Sequence, residues 1–229
     1  HCFGGPHSPP AGSITQDKKM TSLPASRHVP VWPFVAAMAV TVAASNVLVQ
    51  YPLSHFGLQD ILTWGAFTYP FAFLVTDLAN RNHGAPAARR VVYAGFAVAV
   101  VLSAWLATPR IAIASGSAFL VAQLIDVAVF ERLRRRAWWQ APFVSSVIGS
   151  AVDTVLFFSL AFSARFAALD TGFGLEDGSL GFAVPFLLGG EVPLWVSLAL
   201  GDFCVKITMA LVALAPYGAL ISVLKPARA

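Results

Sequence analysis

The sequence predicts an all-α membrane fold of six transmembrane helices, with both ends on the cytoplasmic side. Three observations carry this. Hydrophobic residues make up 57% of the 229-residue chain and charged residues only 11%, whereas soluble domains carry about 25% charged residues. The apolar residues gather into six long runs, each of about 30 Å at 1.5 Å per helical residue, enough to cross a hydrocarbon core. The basic residues fall in alternate connections between those runs, which is how orientation is written in membrane chains.

The elements follow in order. Residues 1–30 read as a disordered tail. The stretch 1–19 is rich in Gly, Pro and Ser without an apolar period; it reads as an artefact or a disordered extension and is set aside from fold reasoning, with Met20 as a candidate natural start. The six-span domain covers 31–224, and 225–229 is a cytoplasmic tail. Span one, 31–50, is too long for a signal-peptide core of about 7–15 residues. Span two, 61–80, is aromatic in its first half and ends in a polar Asp77–Arg81 stretch. Span three covers 90–108 and span four 110–130. Span five covers 141–163 and span six 193–216. Lipid leaves helices as the structure for runs of this length, because every backbone polar group must be satisfied internally.

Twelve Lys and Arg residues then lie on one side of the membrane. They are Lys18, Lys19, Arg27, Arg81, Arg89, Arg90, Arg132, Arg134, Arg135, Arg136, Lys225 and Arg228. Two, Arg110 and Arg165, lie on the other, and Lys206 falls inside a span. Positive charge stays inside, so the assignment is N-in and C-in. The long outer segment, 164–192, is Gly-rich and is read as a solvated loop, with a lid over the outer mouth as the alternative.

Chemistry is expected where ionisable groups sit at membrane depth, at a cost of about 2.5–3.5 kcal/mol each on insertion scales. The inner layer holds Asp77, Arg81, Gln123, Asp126 and Arg132. Asp77 and Arg81 form an i,i+4 pair of favourable polarity. This layer either pins helix ends or works as an inner gate. The middle and outer layer holds Asn46, Gln50, Asp153, Asp202 and Lys206, with Trp64 and Phe67 as nearby aromatics. Asp202 and Lys206, also i,i+4, can neutralise each other, and Asp153 has no sequence-local partner. Two carboxylates against one ammonium leave a negative charge that a proton or a hydrogen-donating ligand would balance. A flat heterocycle with adjacent N–H donors, such as a guanine-like edge, suits a carboxylate, two amides and an aromatic face.

Other classes are excluded or disfavoured. Cys2 and Cys204 make no disulfide framework. The five histidines are scattered in the tail and loops, without metal-ligand spacing. There is no P-loop and no dinucleotide fingerprint. No metal, cofactor or catalytic residue is expected, and no nucleic-acid partner.

Several segments are similar to the queuosine precursor transporters, a family of the vitamin-uptake type. They are Thr63-Trp64-Gly65-Ala66-Phe67-Thr68-Tyr69-Pro70-Phe71, Thr76-Asp77-Leu78 and Gly84-Ala85-Pro86-Ala87-Ala88-Arg89-Arg90. Further along come Ser45-Asn46 with Gln50, Gln123-Leu124-Ile125-Asp126-Val127 with Arg132-Leu133-Arg134, Trp138-Trp139, Asp153-Thr154, and Asp202-Phe203-Cys204 with Lys206. The resemblance runs from about residue 32 to 224. It implies multi-pass import across the inner membrane of 7-cyano-7-deazaguanine, and of 7-aminomethyl-7-deazaguanine, for tRNA modification. It also implies a fold resembling the substrate-binding subunits of energy-coupling-factor importers. Ser150, before Asp153, departs from the expected Asn, and the outer segment is longer than in short members.

Three functions compete on these residues. The first is a transporter acting alone, and the second a binding subunit served by a separate ATPase and scaffold. The third is an intramembrane aspartyl protease built on Asp153 and Gly201-Asp202. Lys206, one turn from Asp202, argues against the third, because a catalytic dyad must share a proton.

Overall fold

The computed structural model describes residues 30–51, 53, 63–186 and 190–223. The expected tails, apart from residue 30, and the first residues of span two lie outside the described residues. Helix α1 is Trp32–Leu48, α2 Gly65–Thr68, α3 Phe71–His83, α4 Ala85–Leu106, α5 Pro109–Leu133 and α6 Gln140–Phe162. After them come α7 (Ala168–Thr171), strands β1 (Ala183–Pro185) and β2 (Glu191–Pro193), and α8 (Leu194–Val223). Four helices, α4, α5, α6 and α8, are long and apolar enough to cross a membrane; α1, with 17 residues, is a shorter apolar helix.

Helix starts follow local chemistry. Proline stands in the first turn of α1, α4 and α5, where its missing N–H is needed least and its fixed φ suits the helix. Thr108 caps α5 by accepting a hydrogen bond from the Ile111 amide. Between α3 and α4 the chain turns on Gly84 alone, at φ 81°, a conformation a side chain would oppose.

Three sequence expectations need correction. Span two is two helices, because Pro70 brings no amide to the i→i−4 ladder. Around it the chain closes a tighter turn, with the Ala72 amide on the Tyr69 carbonyl and the Phe73 amide on Pro70. Span six does not stop at 216: α8 runs on to Val223 with Pro216 inside it, as apolar helices tolerate. The fold is not purely helical either. Within 164–193 an antiparallel ribbon pairs Ala183 with Pro193 and Pro185 with Glu191.

Packing fixes the relative directions of the helices. Gly95 meets Met38, and Ser103 donates to Asn46, so α1 and α4 run in the same sense. Thr76 donates to Gln123 and Asn80 to the Val127 carbonyl, so α3 and α5 also run together. Helix α6 runs against both, its Ser145 meeting Asp77. Helix α5 turns a small-residue row, Ala114, Ala118, Ala122 and then Asp126, into the protein. Buried Ser145, Ser146, Gly149 and Ser150 on α6 form a matching row. Small residues let helix backbones approach closely where no water drives association. Helix α8 is peripheral, burying only Lys206, Ala210 and Tyr217. The outside is apolar: Val40, Val101, Val155, Leu211 and Val212 are exposed. Trp32, Trp138 and Trp139 stand at one end of the bundle and Trp105 at the other, as interfacial tryptophans do.

Candidate functional site

The centre of the molecule is built on Lys206. Its Nζ donates to Asp153 Oδ2 at 2.6 Å and to Thr154 Oγ1 at 3.2 Å, and it lies 2.5 Å from Asp202 Oδ2. An ammonium has three N–H donors, and all three are used. Thr154 in turn donates to Asp202 Oδ2 at 2.8 Å. Tyr69 donates its hydroxyl to Asp153 Oδ1 at 3.1 Å. Lys206 also sits 5.5 Å from the centre of the Tyr69 ring, within reach of a cation–π contact. Asp153 thus finds its missing partner on α8, through tertiary packing.

Local structure explains the convergence. Asp153 and Thr154 continue the small, polar face of α6, one turn beyond Gly149 and Ser150. Asp202 and Lys206 share a face of α8 because they are four residues apart. Tyr69 is the last residue before Pro70, where the break between α2 and α3 aims its side chain inward. Phe73 and Phe119 hold the Tyr69 ring edge-on, with centroids 6.5 and 6.1 Å away. Two carboxylates on one ammonium leave the centre with one negative charge. Asp202 is the more open of the two, its side chain 16% exposed against 6% for Asp153. Its second oxygen therefore has acceptor capacity to spare.

A narrow cavity of about 10 Å³ leads inward from Lys206, between α3, α6 and α8, past Pro70, Phe73, Ser146 and Ser150 to Asp77 and Tyr217. That is room for about one water. At its far end Asp77 accepts from Ser145 at 3.2 Å and from Ser146 at 3.4 Å. Asp126 is buried on the facing stretch of α5, where the Thr76–Gln123 and Asn80–Val127 bonds join α3 to α5 on either side of Asp77 and Asp126.

The structure gathers some of the sequence candidates and separates others. Asp153, Asp202 and Lys206 come together, and so do Asp77 and Asp126, with Gln123 one turn away. The expected Asp77–Arg81 ion pair is not among those of the described residues. Arg81 Nη1 instead donates to the Arg134 carbonyl at 2.6 Å, and Arg134 Nη2 returns a bond to the Arg81 carbonyl at 2.9 Å. Those carbonyls end α3 and α5, so the reciprocal clamp satisfies orphan groups that the helices leave behind. Arg132 is exposed at the end of α5. Asn46 donates to the Val42 carbonyl and accepts from Ser103, while Gln50 is exposed and donates to the Asn46 carbonyl. Asn46 therefore serves the α1–α4 contact, Gln50 bonds back to its own segment, and neither amide bonds to the Lys206 centre. Trp64, 43% exposed, and Phe67 contact each other at 6.2 Å. The aromatic beside the carboxylates is Tyr69.

Sequence reasoning left out Tyr69, Thr154, Ser145 and Ser146 as contacting groups. A signal existed for three of them: the row Ser145, Ser146, Gly149, Ser150, Asp153, Thr154 repeats at helical spacing. It also left out Arg110, which is 1% exposed. Arg110 donates to the Leu160 and Ser163 carbonyls that end α6, at 2.9 and 2.6 Å. It also donates to Asp170, Asp177 and Ser179, at 2.6, 3.4 and 3.2 Å. These bonds tie down the base of the outer segment, which is otherwise largely exposed. The Arg110 bond holds the Asp170 carboxyl below the usual carboxylate range. Hydrogen bonds from Ser179 do the same for Asp177.

The geometry removes the protease reading, because Lys206 stands between Asp153 and Asp202 and each carboxyl is bonded to it instead of to the other, as the two of a catalytic dyad would be. Comparison with known proteins agrees. The queuosine precursor transporter of Escherichia coli strain K12 is 35% identical over 207 residues, covering 81% of this chain and 83% of its own. A protein named "Probable queuosine precursor transporter" in Haemophilus influenzae is 38% identical over 152 residues, 53% of this chain and 65% of its own. One of the same name in Bacillus subtilis strain 168 is 28% identical over 157 residues, 56% of this chain and 67% of its own. No solved structure matches the chain. The family profile described as "Putative vitamin uptake transporter" matches residues 63–220, a stretch that holds the Lys206 centre, the cavity and the Asp77–Asp126 pair. A polytopic helical bundle with a charged interior and these relatives is a transporter and not an enzyme, and the chain belongs to the family of the queuosine precursor transporters.

Proposed function

We propose that this protein imports queuosine precursors, 7-cyano-7-deazaguanine and 7-aminomethyl-7-deazaguanine, across the inner membrane by six helical crossings with both termini inside. The observation that carries the reading is the buried Asp153–Lys206–Asp202 centre beside the Tyr69 ring, in a chain so similar to a queuosine precursor transporter. A deazaguanine edge presents a ring N–H and an exocyclic amine side by side. The free oxygen of Asp202 can accept one of these, and Asp153 the other once Lys206 or Tyr69 swings away. Tyr69 offers the stacking face. Asn46 and Gln50 stay outside this pocket, and Asn46 acts on α1–α4 packing.

The six crossings are α1, the broken α2–α3 pair, α4, α5, α6 and α8. The alternating directions and the strongly one-sided Lys and Arg distribution support them. The cavity holds about one water, whereas small-molecule pockets occupy about 300–1,000 Å³. Substrate therefore enters only when helices part, and α8, with three buried residues, is the least anchored. The test is uptake of radiolabelled precursor by a host that cannot make it, with queuosine in tRNA as the second readout. The expected result is uptake with the wild-type chain and none with Asp153→Ala at equal membrane abundance. Unchanged uptake by that variant removes the centre from the site. Transport by the purified chain in liposomes would show that it acts without a partner ATPase.

A further inference from the structure

The Asp77–Asp126 pair lies outside the Lys206 centre and has no ammonium or guanidinium of its own. Asp77, on α3, is 1% exposed and Asp126, on α5, is 0% exposed. Ser145 has a single proton to give, and its acceptors are Asp77 at 3.2 Å and the Pro142 carbonyl at 3.4 Å. Both oxygens of Asp126 are left without a hydrogen-bond partner among the described residues. Gln123 Nε2, one turn earlier on α5, is also buried and unpartnered. Two adjacent carboxylates in a site of this kind cannot both be ionised, and an uncompensated buried charge costs several kcal/mol. A proton shared between them removes one charge and supplies the bond that Asp126 lacks.

The charged and titratable groups around the pair do not replace that proton. On α3, Arg81 is turned to the Arg134 carbonyl, and Arg134, after α5, is turned back to Arg81. On α8, Lys206 is saturated by Asp153, Asp202 and Thr154, and Tyr217 carries no charge to offer. The face of α6 brings only Ser145 and Ser146. Asp77 and Lys206 line the same cavity, so a charge change at one is felt at the other.

We infer that the Asp77–Asp126 pair binds one proton and is the coupling site that drives uptake, linked to the Lys206 centre by the cavity between α3, α6 and α8. The inference rests on the transport reading given above. One proton is taken up from the side of high proton concentration and released on the other for each substrate moved.

The test uses the purified chain in liposomes with labelled 7-cyano-7-deazaguanine. With an inside-alkaline gradient of one pH unit, one proton per neutral substrate supports up to about tenfold accumulation. Wild type is expected to approach that ratio with potassium or sodium as the only salt. Asp126→Asn and Asp77→Asn are expected to equilibrate to a ratio of one. A ratio that follows a sodium gradient, or an Asp126→Asn ratio equal to wild type, overturns the inference. Wild-type exchange of label with a ratio fixed at one overturns it while leaving the transport reading intact, whereas absence of exchange strikes the transport reading itself. A readout independent of transport is infrared spectroscopy of the detergent-purified protein. A protonated-carboxyl band is expected at neutral pH and is lost in Asp126→Asn, and a wild-type spectrum without that band also overturns the inference.

Discussion

At the scale of single residues, Lys206 decides most. It pairs with two acidic side chains from two helices while being almost fully buried. Removing one member of such a group leaves buried charge behind and costs about 3–5 kcal/mol. Lys206→Met is therefore expected to lower the melting temperature in detergent sharply and to abolish uptake. Adding Asp153→Asn and Asp202→Asn should restore much of the stability and none of the transport. Arg110 gives a second test at this scale. Asp170 and Asp177 sit below the usual carboxylate range, so their contribution is complete above it and fades as pH falls through their folded-state values. The outer segment should therefore resist limited proteolysis from neutral pH down to about pH 4 and open only below that. Arg110→Met should be cut at neutral pH. The residues that carry charge were legible, since Asp153, Asp202 and Lys206 stand out in apolar runs. Their pairing was not, because Asp153 meets Lys206 across 53 residues. Nor was the burial of Arg110, which sequence position alone marks as an outer-loop charge.

At the scale of elements, the break at Pro70 ends α2 and positions Tyr69 against Asp153. Pro70→Ala restores an amide and favours one continuous helix, with melting temperature unchanged or higher. Uptake should fall by about tenfold or more, since a hydrogen bond to a charged group contributes about 1.5–3 kcal/mol. Gly149 tests the close approach of α6 to α3. A Cβ there would lie 2.7 Å from Phe73 Cε1, and Phe73 is itself buried. Gly149→Val is expected to destabilise by about 1–3 kcal/mol, read as a lower melting temperature, with Gly149→Ala intermediate. Helix positions were read well from hydrophobic runs, because apolar length and backbone self-sufficiency are local properties. The split of span two was not read, although Pro70 is plain in the sequence, because proline is tolerated in apolar helices. Pro216 shows this inside α8.

At the scale of the whole molecule, the bundle presents an apolar exterior, tryptophans at both ends, and a polar interior in two connected layers. On the transport reading proposed above, the small cavity between those layers and the few buried residues of α8 make α8 the element expected to move. Cysteines introduced at Ser146 and Leu214, both lining that cavity, should allow a reducible crosslink to stop uptake in a chain freed of Cys2 and Cys204. Reduction should restore it. Uptake that persists in fully crosslinked protein would place the movement elsewhere.

The sequence by itself determined that the chain is a helical membrane protein, where most of its helices lie, and which ionisable side chains stand inside its apolar runs. Each of these follows from hydrophobic length, loop charge and the cost of polar groups in lipid, all of which act along the chain. Only the tertiary structure decided which candidates work together. It joined Asp153 to Lys206 and Asp77 to Asp126, put Tyr69 in the place expected for Trp64 and Phe67, and set Asn46 and Gln50 apart. Those outcomes depend on helix rotation and packing, which small residues such as Gly149 and the Ala114–Ala122 row control through contacts far apart in sequence.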